Sequence, residues 1–354
     1  MALRSPAPVA VDRFESAGES AAQAVNFRQM LALTRSGSSE DQVRRPVGPT
    51  AAVRLPGLDK VWKKGFTGEG QTVAVIDSGI FPHADLKGNV VAWLDLAGGK
   101  GKMHDNRGHG THVAGIIAGD GRKSGGQVKG VAPEANLVGI RIASIENAIE
   151  AIDWVIAHKD EHGISVINLS LGEVATRSAQ DDPWCQAVQR AIDAGITVVV
   201  AAGNEGELGK STISTPGIAP QAITVGGVDD QGTVDPKDDT MYSRSSLGPT
   251  PFDRLEKPDV YAPAVCIYST LSPGSQEDLP GAPRLGQDYV AMMGTSMATP
   301  AVAGLVALLK QARPDLSPMA IKEILTRSVY RGEQNLPIVQ ADAALQLAQT
   351  WKAA

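Results

Sequence analysis

Cysteine is scarce in this chain, since Cys185 and Cys266 are the two cysteines among 354 residues. Two cysteines cannot form a disulfide framework in a chain of this length, which excludes the class of small disulfide-stapled domains. We expect both thiols to be buried and outside any disulfide. The fold must therefore depend on a hydrophobic core, and a chain of this length can bury a large one.

The chain also lacks long apolar runs and an excess of positive charge. No run approaches the roughly 20 apolar residues that span a bilayer, and the net charge of −6 argues against nucleic acid and anionic membranes as partners. The opening stretch, MALRSPAPVAVDRFESAGES, has no apolar core of the kind that marks a secretory signal. We therefore expect a cytoplasmic protein with no nucleic-acid or membrane partner.

The residues that are present are typical of a soluble globular protein, with 42% hydrophobic and 20% charged. Short apolar, β-rich runs alternate with helical patterns. One helical pattern begins at Asp182-Pro183 and stops at Gly195, which are a cap, a first-turn proline and a terminating glycine in their preferred places. This alternation predicts an α/β fold with a three-layer, doubly wound, mostly parallel sheet. The β-rich runs are QTVAVID, ANLVGIRI, SVINLSL, ITVVVAAG and QAITVGGV.

The composition divides the chain near residue 46. Residues 1–46 are rich in alanine, serine and arginine and pass into SGSSEDQVRRPVGP, a pattern typical of a linker. We expect an N-terminal extension there, either a disordered tail or an inhibitory or docking segment. Residues 47–354 are expected to form the folded domain.

Four polar residues stand where parallel sheets place their chemistry, beyond the carboxyl ends of strands or at helix entrances. Asp77 closes the apolar run VAVI, although a buried carboxylate needs a partner. His109 lies in GHGTH at the start of a helical pattern. Asn204 follows ITVVV in AAGNEG, and Ser296 lies in GTSMATP before an apolar helix. Each alone is most simply a turn or cap residue, so the interpretation depends on their combination.

The motifs VIDSGI, GHGTHVAG, AAGNEG and GTSMATP, in this order, resemble those of the subtilisin-like serine proteases, the subtilase family. The resemblance spans roughly residues 55–345 and looks most like the leaderless bacterial branch. It implies the subtilisin-like fold, a peptidase domain over residues 47–354, and a serine endopeptidase that acts on protein or peptide substrates. The sequence gives no indication of the oligomeric state.

The chemistry of these residues agrees with the resemblance. A serine hydroxyl is a weak nucleophile that needs an adjacent base, and His109 is the candidate base for Ser296. Asp77 would hold the imidazole in the correct tautomer. Asn204 and the backbone N–H of Ser296 would stabilise the oxyanion on the way to an acyl-enzyme. On this hypothesis Ser296 both caps the apolar helix and attacks the substrate.

Two alternative functions must be compared with this one. His109 and His112 form an H-x-x-H pair, but zincins use H-E-x-x-H, so we assign no metal and expect His112 to be structural. A catalytically silent subtilase-fold binding or scaffold protein is the second alternative. Such a protein should have lost a catalytic residue, and all four are present.

The resemblance also assigns substrate binding to Ser170, Leu171, Gly172 and Gly203, which would flank the primary specificity pocket. The edge of Ser170–Gly172 would pair with the substrate backbone as an added strand. Glycine and leucine in the cleft favour apolar or medium side chains.

The neighbouring residues refine this pocket. Ser214 is expected near its base. Glu205 is expected at its rim, where it could admit a basic side chain.

No cofactor is required for this chemistry, but relatives often place a calcium-binding carboxylate at the position of Asp85. The loop at residues 119–130, GDGRKSGGQVKG, departs from the calcium-binding pattern and carries three cations. Structural calcium is therefore possible by resemblance and not supported by the loop.

A second departure lies at residues 142–147, where roughly six residues of an outer edge strand are missing. We expect an open cleft there, unless residues 272–288 or 1–46 fill the gap.

Overall fold

The computed structural model describes residues 53–99 and 101–352. The predicted extension at residues 1–46 and its boundary lie outside the described residues and stay predictions. Within the described part, no helix is long and apolar enough to cross a membrane.

A mostly parallel sheet of ten strands forms the centre of the described residues. Its order is β12-β13-β8-β6-β5-β4-β1-β3-β2, with the short β7 paired to β6. Within this described sheet, antiparallel pairing is confined to β12 with β13 and β7 with β6. The strands are β1 (Thr72–Asp77), β2 (Val90–Asp95), β3 (Asn136–Arg141), β4 (Ile164–Leu169), β5 (Thr197–Ala201), β6 (Ile223–Asp229), β7 (Thr240–Met241), β8 (Val260–Pro263), β12 (Val329–Tyr330) and β13 (Ile338–Val339).

Seven α-helices and a small antiparallel sheet complete the part of the chain that the structure describes. The small sheet contains β9 (Ile267–Thr270), β10 (Arg284–Leu285) and β11 (Tyr289–Met292). Short 3-10 turns occur at Ala84–Leu86, Arg122–Ser124 and Gly206–Leu208. The helices are α1 (Leu58–Lys63), α2 (His109–Ala118), α3 (Ile145–His162), α4 (Pro183–Asp193), α5 (Thr295–Ala312), α6 (Pro318–Arg327) and α7 (Ala341–Thr350).

The helices form two layers, one on each face of the main sheet, as the alternation of patterns predicts. On one face α3 and α4 pack together over the inner strands, in a core built from alanine, valine and isoleucine side chains. On the other face α2 packs against α5, and α5 lies across β4, β5 and β6. Every residue from Thr295 to Lys310 is buried, because α5 is apolar on all sides and fills the middle of its layer.

The predicted helix signals at residues 182–195 are confirmed. The Asp182 carboxylate accepts hydrogen bonds from the backbone N–H groups of Trp184 and Cys185, at 2.9 and 3.0 Å, and so satisfies two donors of the first turn of α4. Gly195 has a φ of 87° just after the helix, a conformation that glycine adopts without a steric penalty.

The two cysteines differ in their surroundings. Cys185 lies in α4 and is buried in the core, as expected, and neither cysteine forms a disulfide. The expectation of burial is wrong for Cys266, which is only partly buried. It lies in the connection between β8 and β9.

The strand order reverses direction at β1, whose neighbours are β3 on one side and β4 on the other. Crevices beyond the carboxyl end of such a strand are the usual ligand sites of open α/β sheets. Asp77 is the last residue of β1, and its carbonyl accepts a hydrogen bond from the N–H of Ile142. The fold therefore places Asp77 at the switch point of the sheet.

Candidate active site

Asp77 and His109 form a buried pair between β1 and α2. The Nδ1 atom of His109 lies 2.8 Å from Oδ1 and 3.0 Å from Oδ2 of Asp77. The two residues are 3% and 4% exposed. Because Asp77 ends a strand and His109 begins a helix, the backbone of both elements fixes the pair.

A close backbone approach makes this pair possible. A Cβ atom added at Gly110 would lie 2.2 Å from the carbonyl oxygen of Gly79 and 3.0 Å from the Cβ of Asp77. Any side chain at residue 110 would therefore push the first turn of α2 away from the end of β1. The glycine in GHGTH allows the imidazole next to it to reach the carboxylate.

Each member of the pair favours the charged form of the other. Burial alone would raise the pKa of Asp77, but the charge and hydrogen bond of His109, with the Ser78 N–H, hold that pKa below its ordinary value. Burial alone would lower the pKa of His109, whereas the charge and hydrogen bond of Asp77 raise it above its ordinary value. The imidazole is thus electrostatically prepared to accept a proton.

Ser296 lies in the first turn of α5, and its hydroxyl donates to the backbone carbonyl of Ser170 across 2.9 Å. The expectation that Ser296 caps the helix is wrong. The cap position belongs to Gly294, and no side chain caps this helix end. The Nε2 atom of His109 is buried and has no hydrogen-bond partner among the described residues. It can therefore accept a proton.

Asn204 follows β5 and is held against the start of α5. Its Oδ1 atom accepts hydrogen bonds from the backbone N–H of Thr295 at 3.0 Å and from the Thr295 hydroxyl at 3.2 Å. Since the amide oxygen is occupied in this way, the amide nitrogen is the group left to donate. The structure places this donor beside the helix entrance that carries Ser296.

The predicted pocket residues gather around Ser214 and Thr215. A Cβ atom at Gly203 would lie 2.2 Å from the Ser214 hydroxyl, and one at Gly172 would lie 2.8 Å from the Thr215 carbonyl. Both glycines therefore approach the Ser214–Thr215 segment too closely to carry a side chain. The flank continues through Leu171, which is partly buried and packs on the core beneath the α3–α4 layer.

Ser170 is the most enclosed of the predicted substrate-binding residues, with 1% of its surface exposed. Its hydroxyl accepts a hydrogen bond from the Asn168 amide at 3.0 Å, and its carbonyl accepts the Ser296 hydroxyl. The predicted binding edge therefore touches the predicted nucleophile directly.

Glu205, the residue expected at the pocket rim, is partly buried and hydrogen-bonded to the chain around it. Its Oε2 atom is turned inward and accepts hydrogen bonds from the Asn204 N–H, the Ser214 hydroxyl and the Ser246 hydroxyl, at 2.8, 3.3 and 3.1 Å. Sequence reasoning missed Ser246, because it lies in a loop 41 residues after Glu205 with no motif of its own. Glu205 is therefore hydrogen-bonded both to Ser214, which is expected at the bottom of the pocket, and to the Asn204 backbone.

His112 lies one helical turn after the predicted base and makes structural contacts. Its Nε2 atom lies 3.0 Å from the Ile267 carbonyl and 3.1 Å from the Val290 carbonyl, so it donates to the small sheet. Burial, together with the nearby charge of His109, lowers the pKa of His112 to about 3. Across residues 53–99 and 101–352, no group of three or more His, Cys, Asp or Glu side chains is arranged to hold a metal ion.

Asp85 stands where the resemblance implies calcium, and its contacts do not fit that ion. The residue is fully buried, and its two carboxylate oxygens accept hydrogen bonds from the Lys123 N–H and the Tyr289 hydroxyl. The Nζ atom of Lys123 lies 3.5 Å from a carboxylate oxygen of Asp288, so its positive charge is paired with that carboxylate. Calcium prefers several convergent oxygen ligands, whereas donors of the chain occupy both oxygens here.

The connection after β3 is as short as the sequence predicts. β3 ends at Arg141 and α3 begins at Ile145, with the Ser144 hydroxyl accepting the Asn147 N–H as a helix cap. The loop at residues 272–288 contacts the turn before α2, where its Gln276 and Glu277 N–H groups donate to the carbonyls of residues 106 and 107.

A buried acid–base pair, a serine at a helix start and an amide donor beside it define the class of this domain as that of a serine endopeptidase. The family model described as the subtilase family matches residues 68–346. The chain belongs to the subtilase family.

Its relatives among characterised proteins agree with this. It is 42% identical over 292 residues to the serine protease AprX of Bacillus subtilis, covering 79% of this chain and 66% of AprX. It is 35% identical to subtilisin BL of Lederbergia lenta, covering 79% of this chain and 93% of that protein.

Solved structures give the same result for the fold. Sphericase superposes with a TM-score of 0.66 at 27% identity, over 80% of this chain and 94% of its own. A cold-adapted subtilisin-like serine proteinase superposes with a TM-score of 0.61 at 28% identity, over 78% and 90%.

Proposed function

We propose that this chain hydrolyses internal peptide bonds through an Asp77–His109–Ser296 triad and an acyl-enzyme intermediate. The observation that carries the proposal is the buried contact between His109 Nδ1 and Asp77, which leaves Nε2 able to accept a proton. A base in this state is what the Ser296 hydroxyl needs to become a nucleophile.

In the first half of the reaction, Ser296 Oγ forms a bond to the scissile carbonyl carbon while its proton passes to His109 Nε2. The imidazolium is stabilised by the Asp77 carboxylate. His109 then gives the proton to the leaving amine as the C–N bond breaks. In the second half, water attacks the acyl-enzyme, passes a proton to His109, and Ser296 regains it when the acid product leaves.

The oxyanion of each tetrahedral intermediate is stabilised by the Asn204 side-chain amide and the Ser296 backbone N–H. The anchoring of Asn204 Oδ1 by Thr295 supports this assignment, because it orients the amide before the charge develops. The N-terminal end of α5 adds a favourable dipole.

The substrate is a protein or peptide, and its backbone pairs with Ser170–Gly172 as an added strand. The pocket between Gly172 and Gly203 accepts an apolar or medium side chain next to the scissile bond. Glu205 supports the pocket from inside through its three hydrogen bonds.

Calcium at Asp85 has no role in this proposal. The donors from Lys123 and Tyr289 take the place that cation ligation would have, and they connect the loop at 119–130 to the small sheet.

The deciding experiment compares the wild type with Ser296→Ala on a denatured protein substrate, with Ser243→Ala, an exposed serine, as the matched control. Ser296→Ala should lose hydrolysis and labelling by a serine-directed phosphonate while keeping the same far-UV circular dichroism. Ser243→Ala should keep both the hydrolysis and the phosphonate labelling of the wild type. Residual turnover in Ser296→Ala that a chelator abolishes would refute the triad and favour metal chemistry.

A further inference from the structure

Asp105 is a buried carboxylate that the reaction above does not use. It is 3% exposed, and its two oxygens accept five hydrogen bonds. Oδ1 accepts from the Ser78 hydroxyl at 3.0 Å, the Arg107 N–H at 3.1 Å and the Gly108 N–H at 2.8 Å. Oδ2 accepts from the N–H and the hydroxyl of Thr111, at 2.8 and 2.6 Å. Hydrogen bonds to an ionised acceptor are stronger than neutral ones, so this carboxylate holds its surroundings firmly.

Three of these donors are backbone N–H groups on either side of His109. Helix α2 begins there with Gly108 at the cap position, and glycine offers no side chain to satisfy the first N–H groups of the helix. Asp105, which lies outside the helix, supplies that cap by accepting hydrogen bonds from the N–H groups of Gly108 and Thr111. The first turn of α2, which carries His109, is therefore fixed by Asp105.

The remaining residue that donates to Asp105 is Ser78, through its hydroxyl, and it lies next to Asp77, the other member of the buried pair. Ser78 follows Asp77 directly, and its hydroxyl donates to Asp105 while accepting the N–H of Gly110 at 3.0 Å. Ser78 thus connects the end of β1 with the start of α2 through Asp105. These are the two elements whose separation sets the distance between Asp77 and His109.

We propose that Asp105 is a positioning residue that sets the geometry of the Asp77–His109 pair. It touches neither substrate nor reacting atoms and acts by holding the His109 turn against the end of β1. The inference rests on the proposed function of that pair. A displacement of about 1 Å in such a group can cost about 10²-fold in rate, so a loosened turn should reduce turnover even in a folded enzyme.

The test is Asp105→Asn, which keeps the size of the side chain but turns an amide nitrogen towards some of the five donors. The active-site concentration is titrated with a phosphonate, so that kcat refers to competent enzyme alone. The expected result is a fall of about 10- to 100-fold in kcat per titrated site, a similar fall in the rate of phosphonylation, and little change in KM.

Asp230→Asn is the matched control, because Asp230 is also a buried aspartate that accepts several hydrogen bonds, from the Arg54 guanidinium and the Gly232 N–H, and it contacts none of the proposed site residues. Both variants should unfold at a lower temperature. Asp230→Asn should keep the wild-type kcat per titrated site. A purely structural role for Asp105 would give the same pattern in Asp105→Asn, which would overturn the proposal.

Ser78→Ala provides a second variant if Asp105→Asn does not fold. It removes the connection between the two elements and leaves the Asp105 cap on Gly108 and Thr111 in place. A loss of kcat per titrated site is expected, and wild-type kcat in Ser78→Ala would overturn the proposal. A failure of the triad itself would appear separately, as phosphonate labelling that survives Ser296→Ala.

Discussion

The hydroxyl of Ser296 donates a hydrogen bond to the backbone carbonyl of Ser170, 2.9 Å away. Nε2 of His109, the atom proposed to receive the serine proton, has no hydrogen-bond partner among the described residues. The hydroxyl must therefore rotate away from Ser170 before proton transfer, and catalytic hydrogen bonds commonly tighten in this way when substrate binds. The ionisation of His109 should govern the pH dependence of the enzyme.

Activity should rise with pH to a midpoint above about 6.5, the ordinary pKa of histidine, because only neutral His109 can accept the proton and Asp77 raises the pKa of His109. Asp77→Asn removes that cause and leaves the effect of burial, so the midpoint should fall below the ordinary value. The residual kcat should be about 10⁴-fold lower, as for the same change in another serine protease. The measurement is kcat/KM against pH for both proteins, and an identical midpoint in the two would contradict a role for the pair.

Asn204→Ala should lower kcat by about 10²–10³-fold with little change in KM, the established magnitude for the corresponding donor in subtilisin. The reason is that the amide serves the oxyanion and not the ground-state carbonyl. Thr299→Val, in the same buried helix, is the comparison for general damage to α5. A loss that appeared mainly in KM would mean that Asn204 holds substrate instead.

Extending a peptide substrate upstream of the cut should bring only a shallow gain in kcat/KM beyond the second residue. The short connection from Arg141 to Ile145 offers little outer edge to pair with, and each lost backbone hydrogen bond costs about 0.5–1.5 kcal/mol. Two or three such losses amount to tens-fold or more. The same series on a variant lacking residues 1–46 provides the control, since a steep gain to the fourth residue in that variant would show that the folded domain rebuilds the edge.

Tyr289→Phe should lower the free energy of unfolding by about 1.5–3 kcal/mol, because a fully buried Asp85 carboxylate loses a donor. Tyr242→Phe is the matched control and should be nearly neutral, since the Tyr242 hydroxyl is buried with no hydrogen-bond partner in the part of the chain that the structure describes. Thermal unfolding of the wild type should have the same midpoint in excess calcium and in EDTA. A clear rise of the unfolding midpoint in calcium would contradict the conclusion that Asp85 has no calcium ligand set.

Much of the architecture can be predicted from local patterns in this sequence. Alternating apolar strands and helices indicate a parallel sheet, and the signals from Asp182 to Gly195 mark the bounds of α4, because caps and turns depend on neighbouring residues. Asp77 at a strand end and His109 at a helix entrance follow from the same local rules. Their order, with Asn204 and Ser296, indicates the family. The cytoplasmic location and the nature of residues 1–46 stay predictions.

The orientation of individual side chains was decided only by the tertiary structure. Glu205 is turned inward to Ser214 and Ser246, the Ser296 hydroxyl is held by Ser170, and Asp85 is bound by Tyr289 from 204 residues away. Each contact joins segments that are far apart in the chain and are brought together by the packing of separate layers. A hydrogen bond depends on differences of a few tenths of an ångström, and no pattern of residue types specifies distances between remote segments so finely.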